Sequence, residues 1–173
     1  IADEVEVMDR SGEFGLWHFS EINDSEGVWR SANRYGFVGF DLMAETFHGD
    51  SLTDEEVERI RIGNGIPKWG TELKQGMLPP EAGLDATDIS YTKGCYIGQE
   101  VISRIKSAGK VNRRLVKLDF HQCPAVLGEL VDRDGKICGE VTSITGSSGL
   151  GFLKRGMEAG DLSVCGSKVR LLQ

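Results

Sequence analysis

The chain has no apolar run approaching the roughly 20 residues that a membrane-spanning helix needs. It also has no C-x-x-C pair, no internal repeat and no low-complexity tract, and its three histidines, His18, His48 and His121, lie far apart. Each shortage removes a class of function. No segment reads as a membrane anchor, and no ligand spacing reads as a self-contained metal site. The four cysteines, Cys95, Cys123, Cys138 and Cys165, do not read as a disulfide framework, because a chain of 173 residues with 39% apolar content buries a core without staples. They read as mostly free thiols in a reducing compartment such as the cytoplasm. A net charge of −7 argues against a broad electrostatic grip on nucleic acid or anionic lipid. It leaves room for a small basic pocket. Residues 1–12 are acidic and alternating, unlike a signal or transit peptide. They open on what reads as a strand, so the expectation is that this is part of a longer protein whose N-terminal part is missing.

What is present is a mixture of strand and helix signals. Residues 5–9 and 13–19 are β-rich runs joined by Arg10-Ser11-Gly12 and predict a hairpin. Residues 20–34 are polar and ambiguous. Residues 35–45, YGFVGFDLMAE, predict a strand or two, bent at Gly36 and Gly39. A helix start follows: Thr53 offers a cap, Glu56 completes a capping box, and Gly63 or Gly65 ends the helix. Residues 65–84 are rich in glycine and proline and predict a long irregular connection, of the kind that often carries function. Val101, Ile102 and Ile105 suit a short helix stopped by Gly109, with Glu100 and Arg104 four apart in the favourable order. Beyond Arg114 come short runs (residues 115–120, 129–145, 150–155 and 167–172) punctuated by turns, Asp134-Gly135 the clearest. They predict a small β-barrel or sandwich. The fold class is α+β, with one region over 1–114 and a C-terminal barrel domain over 115–173.

One stretch stands apart. Residues 93–100, KGCYIGQE, set a cysteine near two glycines, with a lysine two residues before it. Glycine permits backbone conformations closed to other residues. A helix opening at Gln99 or Glu100 sets the thiol just upstream of a positive dipole end, and with Lys93 this favours the thiolate. The alternative is a small apolar residue in a tight turn, which most free cysteines are. Gln99 and Glu100 offer hydrogen bonds to a ligand's amide edge, or else helix-start polarity and an ion pair with Arg104. Lys93, Arg104, Lys106 and Lys110 form either an anion patch or a solvated face. Trp69, in the Gly/Pro connection, is a candidate to stack on a planar ligand, whereas Trp17 suits a core. Cys123, Cys138 and Cys165 read as structural, and His18 and His48 have no evident partners.

The stretch resembles the K-G-C-[aromatic]-x-G-Q-E signature of the YgfZ family of folate-binding, iron–sulfur-related proteins, which is similar to the glycine-cleavage T-protein (GcvT, aminomethyltransferase) superfamily. Supporting segments run in the family's order: Arg61-Ile62 with Gly65-Ile66-Pro67, Glu72-Leu73, Pro80-Glu81-Ala82-Gly83-Leu84 and Ile89-Ser90-Tyr91. Val141-Thr142-Ser143 and Leu150-Gly151-Phe152 resemble its C-terminal barrel. The resemblance implies a partial GcvT/YgfZ-like folate-binding fold, tetrahydrofolate as ligand, and a role in assembling or repairing iron–sulfur enzymes with client or assembly proteins as partners. It implies Cys95 as the reactive or iron-contacting group supported by Lys93. Gly94, Tyr96, Gly98, Gln99, Glu100, Arg61 and Trp69 would serve the loop or the folate. Two alternatives remain: a tetrahydrofolate-dependent aminomethyltransferase, whose catalytic acid belongs to the family's N-terminal part, and a non-catalytic half-protein that pairs with a separate N-terminal chain. After Arg61-Ile62 the family commonly carries a glutamate facing the pterin; Gly63-Asn64 stands here.

Overall fold

The computed structural model describes residues 6–109, 111–120, 125–157 and 161–172. The chain divides into two units, Ile1–Asp54 and Glu55–Gln173. Residues 55–112, expected to belong with the N-terminal region, group by contacts with the barrel that follows them.

In the first unit, β1 (Gly15–Phe19), β2 (Val28–Arg34) and β3 (Phe37–Ala44) form an antiparallel sheet in the order β1-β3-β2. Side chains alternate between the two faces of a strand. The rung Trp17–Leu42–Trp29 therefore shares a face with Phe19. Phe47 closes over that face, with ring centroids 5.7 Å from Trp17 and 5.1 Å from Phe19, and Leu42 beneath is fully buried. Burial of side chains this size stabilises by about 1.5–3 kcal/mol each. The hairpin expected between residues 5–9 and 13–19 does not form. Residues 6–10 carry no strand, Val5 lies outside the described residues, and β1 pairs with β3 instead. The central strand supplies Leu42 opposite Trp17, where the acidic opening run offers no such partner. β2 and β3 are joined by Tyr35-Gly36, both at positive φ (54° and 84°), the backbone that a two-residue hairpin turn requires.

In the second unit, α1 (Asp54–Gly63) carries acids in its first turn, where the helix dipole favours them, and buries Ile62. An irregular stretch with a 3-10 turn at Pro79–Ala82 leads to α2 (Gln99–Ala108). Gly109 ends α2 in a left-handed conformation, its N–H bonded to the Ile105 carbonyl at 2.8 Å. Then β4 (Arg113–Asp119), β5 (Gly128–Val131), β6 (Ile137–Thr145), β7 (Ser148–Lys154), β8 (Leu162–Val164) and β9 (Ser167–Leu172) close a barrel in the order β4-β7-β6-β5-β8-β9. Closure removes sheet edges that would otherwise invite aggregation. Leu118, Phe120, Leu130, Cys138, Leu153 and Val164 fill the core. The strands approach closely at Gly151, where a Cβ would lie 2.4 Å from the Glu140 carbonyl oxygen. The expected Asp134-Gly135 turn is present, with the Asp132 carboxylate accepting from the N–H groups of Asp134 and Lys136. β8 has three residues, too short to leave a pattern in the sequence.

Candidate functional site

A buried polar cluster in the second unit centres on Glu72, from the irregular stretch after α1. Its side chain is fully buried. Oε2 accepts from Arg61 Nη1 and the Lys68 N–H, both at 3.0 Å. Oε1 accepts from the hydroxyls of Thr142 at 2.7 Å and Ser143 at 2.6 Å. Adjacent residues of a regular strand point to opposite faces. Here the register of β6 against β7 shifts between Val141 and Ser143, and this bulge brings both hydroxyls to one carboxylate.

Arg61, at the end of α1, completes the cluster with its side chain 5% exposed. A guanidinium has five N–H donors. Nε and Nη2 meet the Glu58 carboxylate, Nη1 meets the Ile66 carbonyl at 2.7 Å and Glu72, and Nη2 also meets the Ser143 hydroxyl at 2.9 Å. Every donor is used within the chain. The ligand-contacting role expected for Arg61 is therefore not what its geometry provides: it ties α1 and the Gly/Pro stretch to the barrel. The Glu58 carboxyl is held below its ordinary range, chiefly by Arg61 and then by Lys68, against the opposing effect of burial. A second tie runs from Arg113 at the start of β4 to Glu81 in the 3-10 turn, at 3.1 Å.

Trp69 stands on a turn whose base is this cluster. The Lys68 carbonyl accepts from the N–H groups of Thr71, Glu72 and Leu73, and the Gly70 N–H returns to the Leu73 carbonyl at 2.8 Å. Gly70 takes φ +85°. Trp69 itself is 74% exposed, so it projects from the surface, whereas the sequence suggested that it lines a pocket.

The KGCYIGQE stretch is the loop ahead of α2. Cys95 is an exposed free thiol. Gly98 caps the helix at φ +89°, its carbonyl accepting from the Ile102 N–H at 3.1 Å. This glycine carries the bend that the motif suggested. Gly94 has no positive φ and open space around it, so the second expected hinge is absent. The Lys93 ammonium lies 4.9 Å from the Tyr96 ring centroid, and Lys106, from the last turn of α2, lies 3.6 Å from that of Tyr91. Both contacts fit cation–π geometry. Glu100 pairs with Arg104 at 2.7 Å, the helix-surface pair its spacing suggested. Gln99 is half-buried, and its N–H bonds the Tyr96 carbonyl at 3.2 Å. The Tyr96 hydroxyl is buried without a partner among the described residues. Ile97, in the same loop, and Val101, in the first turn of α2, are exposed. Lys110 and Cys123 lie outside the described residues. Cys138 is a core residue whose thiol contacts the Leu130 carbonyl, and burial pushes that thiol up. Cys165 sits exposed at positive φ between β8 and β9. Among the described residues, no three His, Cys, Asp or Glu side chains converge to hold a metal.

The first unit holds a partnership that the sequence did not reveal. His18 Nδ1 lies 2.9 Å from Asp41 Oδ1, and Arg34 grips the same carboxylate through Nε and Nη2. His18 and Asp41 face each other across β1 and β3. A Cβ at Gly39 would fall 2.3 Å from the Phe19 carbonyl oxygen and 2.8 Å from His18 Nε2, so Gly39 gives room to the paired strand and to the imidazole. The strand alternation places both residues on polar faces, but the register that joins them is not written in either strand alone.

Residues 112–173 match the family described as CAF17, C-terminal beta-barrel domain, and the six-stranded barrel fits that domain. Over 104 residues, 57% of this chain, the sequence is 38% identical to a chloroplastic protein of Arabidopsis thaliana described as a candidate transferase, covering 24% of that relative. Over 63 residues, 35% of this chain, it is 40% identical to the mitochondrial iron-sulfur cluster assembly factor IBA57 homolog of Phaeosphaeria nodorum, covering 16% of it. The matched segments thus span about a quarter or less of these relatives' length. They support the family resemblance carried by the motif at a coarse level. No helix of the described residues is long and apolar enough to cross a membrane.

Proposed function

We propose that this chain serves iron–sulfur cluster assembly or repair, with Cys95 as its reactive group. The observation that carries the reading is an exposed thiol at the head of α2, inside a motif that resembles the YgfZ signature, in a chain similar to an iron-sulfur cluster assembly factor. A thiolate is a soft ligand suited to iron. One thiol does not hold a cluster alone, so the remaining ligands come from a client protein, a second chain or a small thiol. The open surface around Cys95 suits such sharing.

Tetrahydrofolate has little of its expected contact set in this chain. The donors of Arg61 are consumed within the chain, and glycine stands where the family's pterin-facing acid falls. The described residues do not by themselves fit the pterin. Tyr96, whose hydroxyl lacks a partner among the described residues, Gln99 and Glu100 are the candidates for a folate contact. The likeness to a candidate transferase supports a second reading, a folate-dependent aminomethyl- or methyltransferase. Expression of the chain in cells lacking the native protein, followed by assay of iron–sulfur enzymes, tests the first reading. Restored activity is expected, and no restoration by a well-expressed chain counts against it. Tetrahydrofolate-dependent release of formaldehyde from an aminomethyl donor would favour the second.

A further inference from the structure

The Trp69 turn is built unlike an ordinary surface loop. A tryptophan is among the most costly side chains to leave in water, yet this one is 74% exposed. Its turn is not slack. Three consecutive N–H groups bond to the Lys68 carbonyl, and the Lys68 N–H bonds to the buried Glu72 carboxylate, itself held by Arg61, Thr142 and Ser143. The turn is therefore fixed to both α1 and the barrel by groups that are costly to break. A large aromatic on a rigid mount loses little entropy when it is covered, which is the property of an interface anchor. Lys68 and Lys74 flank it, both exposed, in a chain whose net charge is −7. Glu58 meets Lys68 from the α1 side.

We infer that the Trp69 turn is a docking anchor for a protein partner that presents an apolar pocket rimmed by carboxylates. Trp69 fills the pocket, and Lys68 and Lys74 meet the rim. The inference does not depend on the chemistry of Cys95, and either stands if the other fails. The rigid base means that Trp69 variants change the surface alone, whereas Glu72 variants change the mount.

The test places a photo-crosslinking residue at Gln75 of the full chain in extract of the source organism. The crosslinked protein is purified and titrated against wild type, Trp69→Phe, Trp69→Ala and the double charge variant Lys68→Glu/Lys74→Glu. Trp69→Ala is expected to weaken binding at least about 30-fold, the factor set by a hot-spot loss of about 2 kcal/mol. Trp69→Phe should lose less, and the charge variant should weaken binding and flatten its salt dependence. Unchanged circular dichroism and unfolding midpoint of Trp69→Ala separate this from misfolding. The inference is overturned by the absence of a Trp69-dependent crosslink, or by equal affinity of wild type and Trp69→Ala. It is also overturned if Trp69, left as the sole tryptophan by Trp17→Phe and Trp29→Phe, is quenched by tetrahydrofolate alone with no protein partner found.

Discussion

Arg61 Nη1 and Glu72 Oε2 lie 3.0 Å apart with both side chains almost wholly withdrawn from solvent. One belongs to the end of α1 and the other to the Gly/Pro stretch, and both meet the Ser143 hydroxyl of the barrel. Removing Glu72 leaves its buried donors without an acceptor, at a cost of about 1–3 kcal/mol each, while Arg61 keeps its pair with Glu58. Glu72→Ala should lower the stability of the second unit by that order, measured as a shift in denaturant midpoint. Glu72→Gln, which keeps the shape, should cost less. Equal stability of Glu72→Ala and wild type would mean that the cluster does not hold the stretch to the barrel.

Acid should weaken the first unit through Asp41. Its carboxyl is held below the ordinary range, first by hydrogen bonds from Arg34, with His18 adding to the effect and burial opposing it. A folded-state value below the unfolded one gives stability that is complete above the ordinary carboxylate range near pH 4. That stability is lost as pH falls through the depressed value. Asp41→Asn should therefore melt below wild type at pH 7, with the gap closing below about pH 4. A gap that stays constant with pH would refute the ionic part of the triad.

The two glycines of the motif should behave differently. Gly98 sits in the left-handed region, where a side chain costs about 1–2 kcal/mol. Gly94 does not, and it has open space around it. Gly98→Ala should lower the thermal midpoint, whereas Gly94→Ala should leave it near wild type. Equal effects would show that the bend ahead of α2 is not held at Gly98.

Thiol labelling should sort the cysteines by place. In a Cys123→Ser background, Cys95 and Cys165 should alkylate in the native protein, and Cys138 only on unfolding, because it is buried in the barrel core. Mass spectrometry of peptides after a short pulse of iodoacetamide reads this directly. Rapid native labelling of Cys138 would contradict the packing of the barrel.

Local signals made part of this legible. The α1 acids, Gly109, the Glu100–Arg104 spacing and the Asp134-Gly135 turn depend on neighbours in the chain, and each appears where its chemistry puts it. Features that depend on register did not show. His18 gained its partner only when β1 paired with β3. Arg61 read as a ligand contact because the sequence does not reveal that a bulge in β6 delivers two hydroxyls to Glu72, or that Glu58 and Ile66 take its remaining donors. β8 was lost to its length. At the motif, the position of the thiol ahead of a helix was readable, because it follows from Gly98 and the apolar spacing of α2. The Tyr96 hydroxyl, buried without a partner among the described residues, was not.

If Cys95 carries the function, a hydroxyl does not replace its thiol. The most direct test places Cys95→Ser and, separately, Cys165→Ser in cells lacking the native protein, with protein levels matched, and measures iron–sulfur enzyme activity. The account predicts that Cys165→Ser restores activity while Cys95→Ser does not. Full restoration by Cys95→Ser would contradict it.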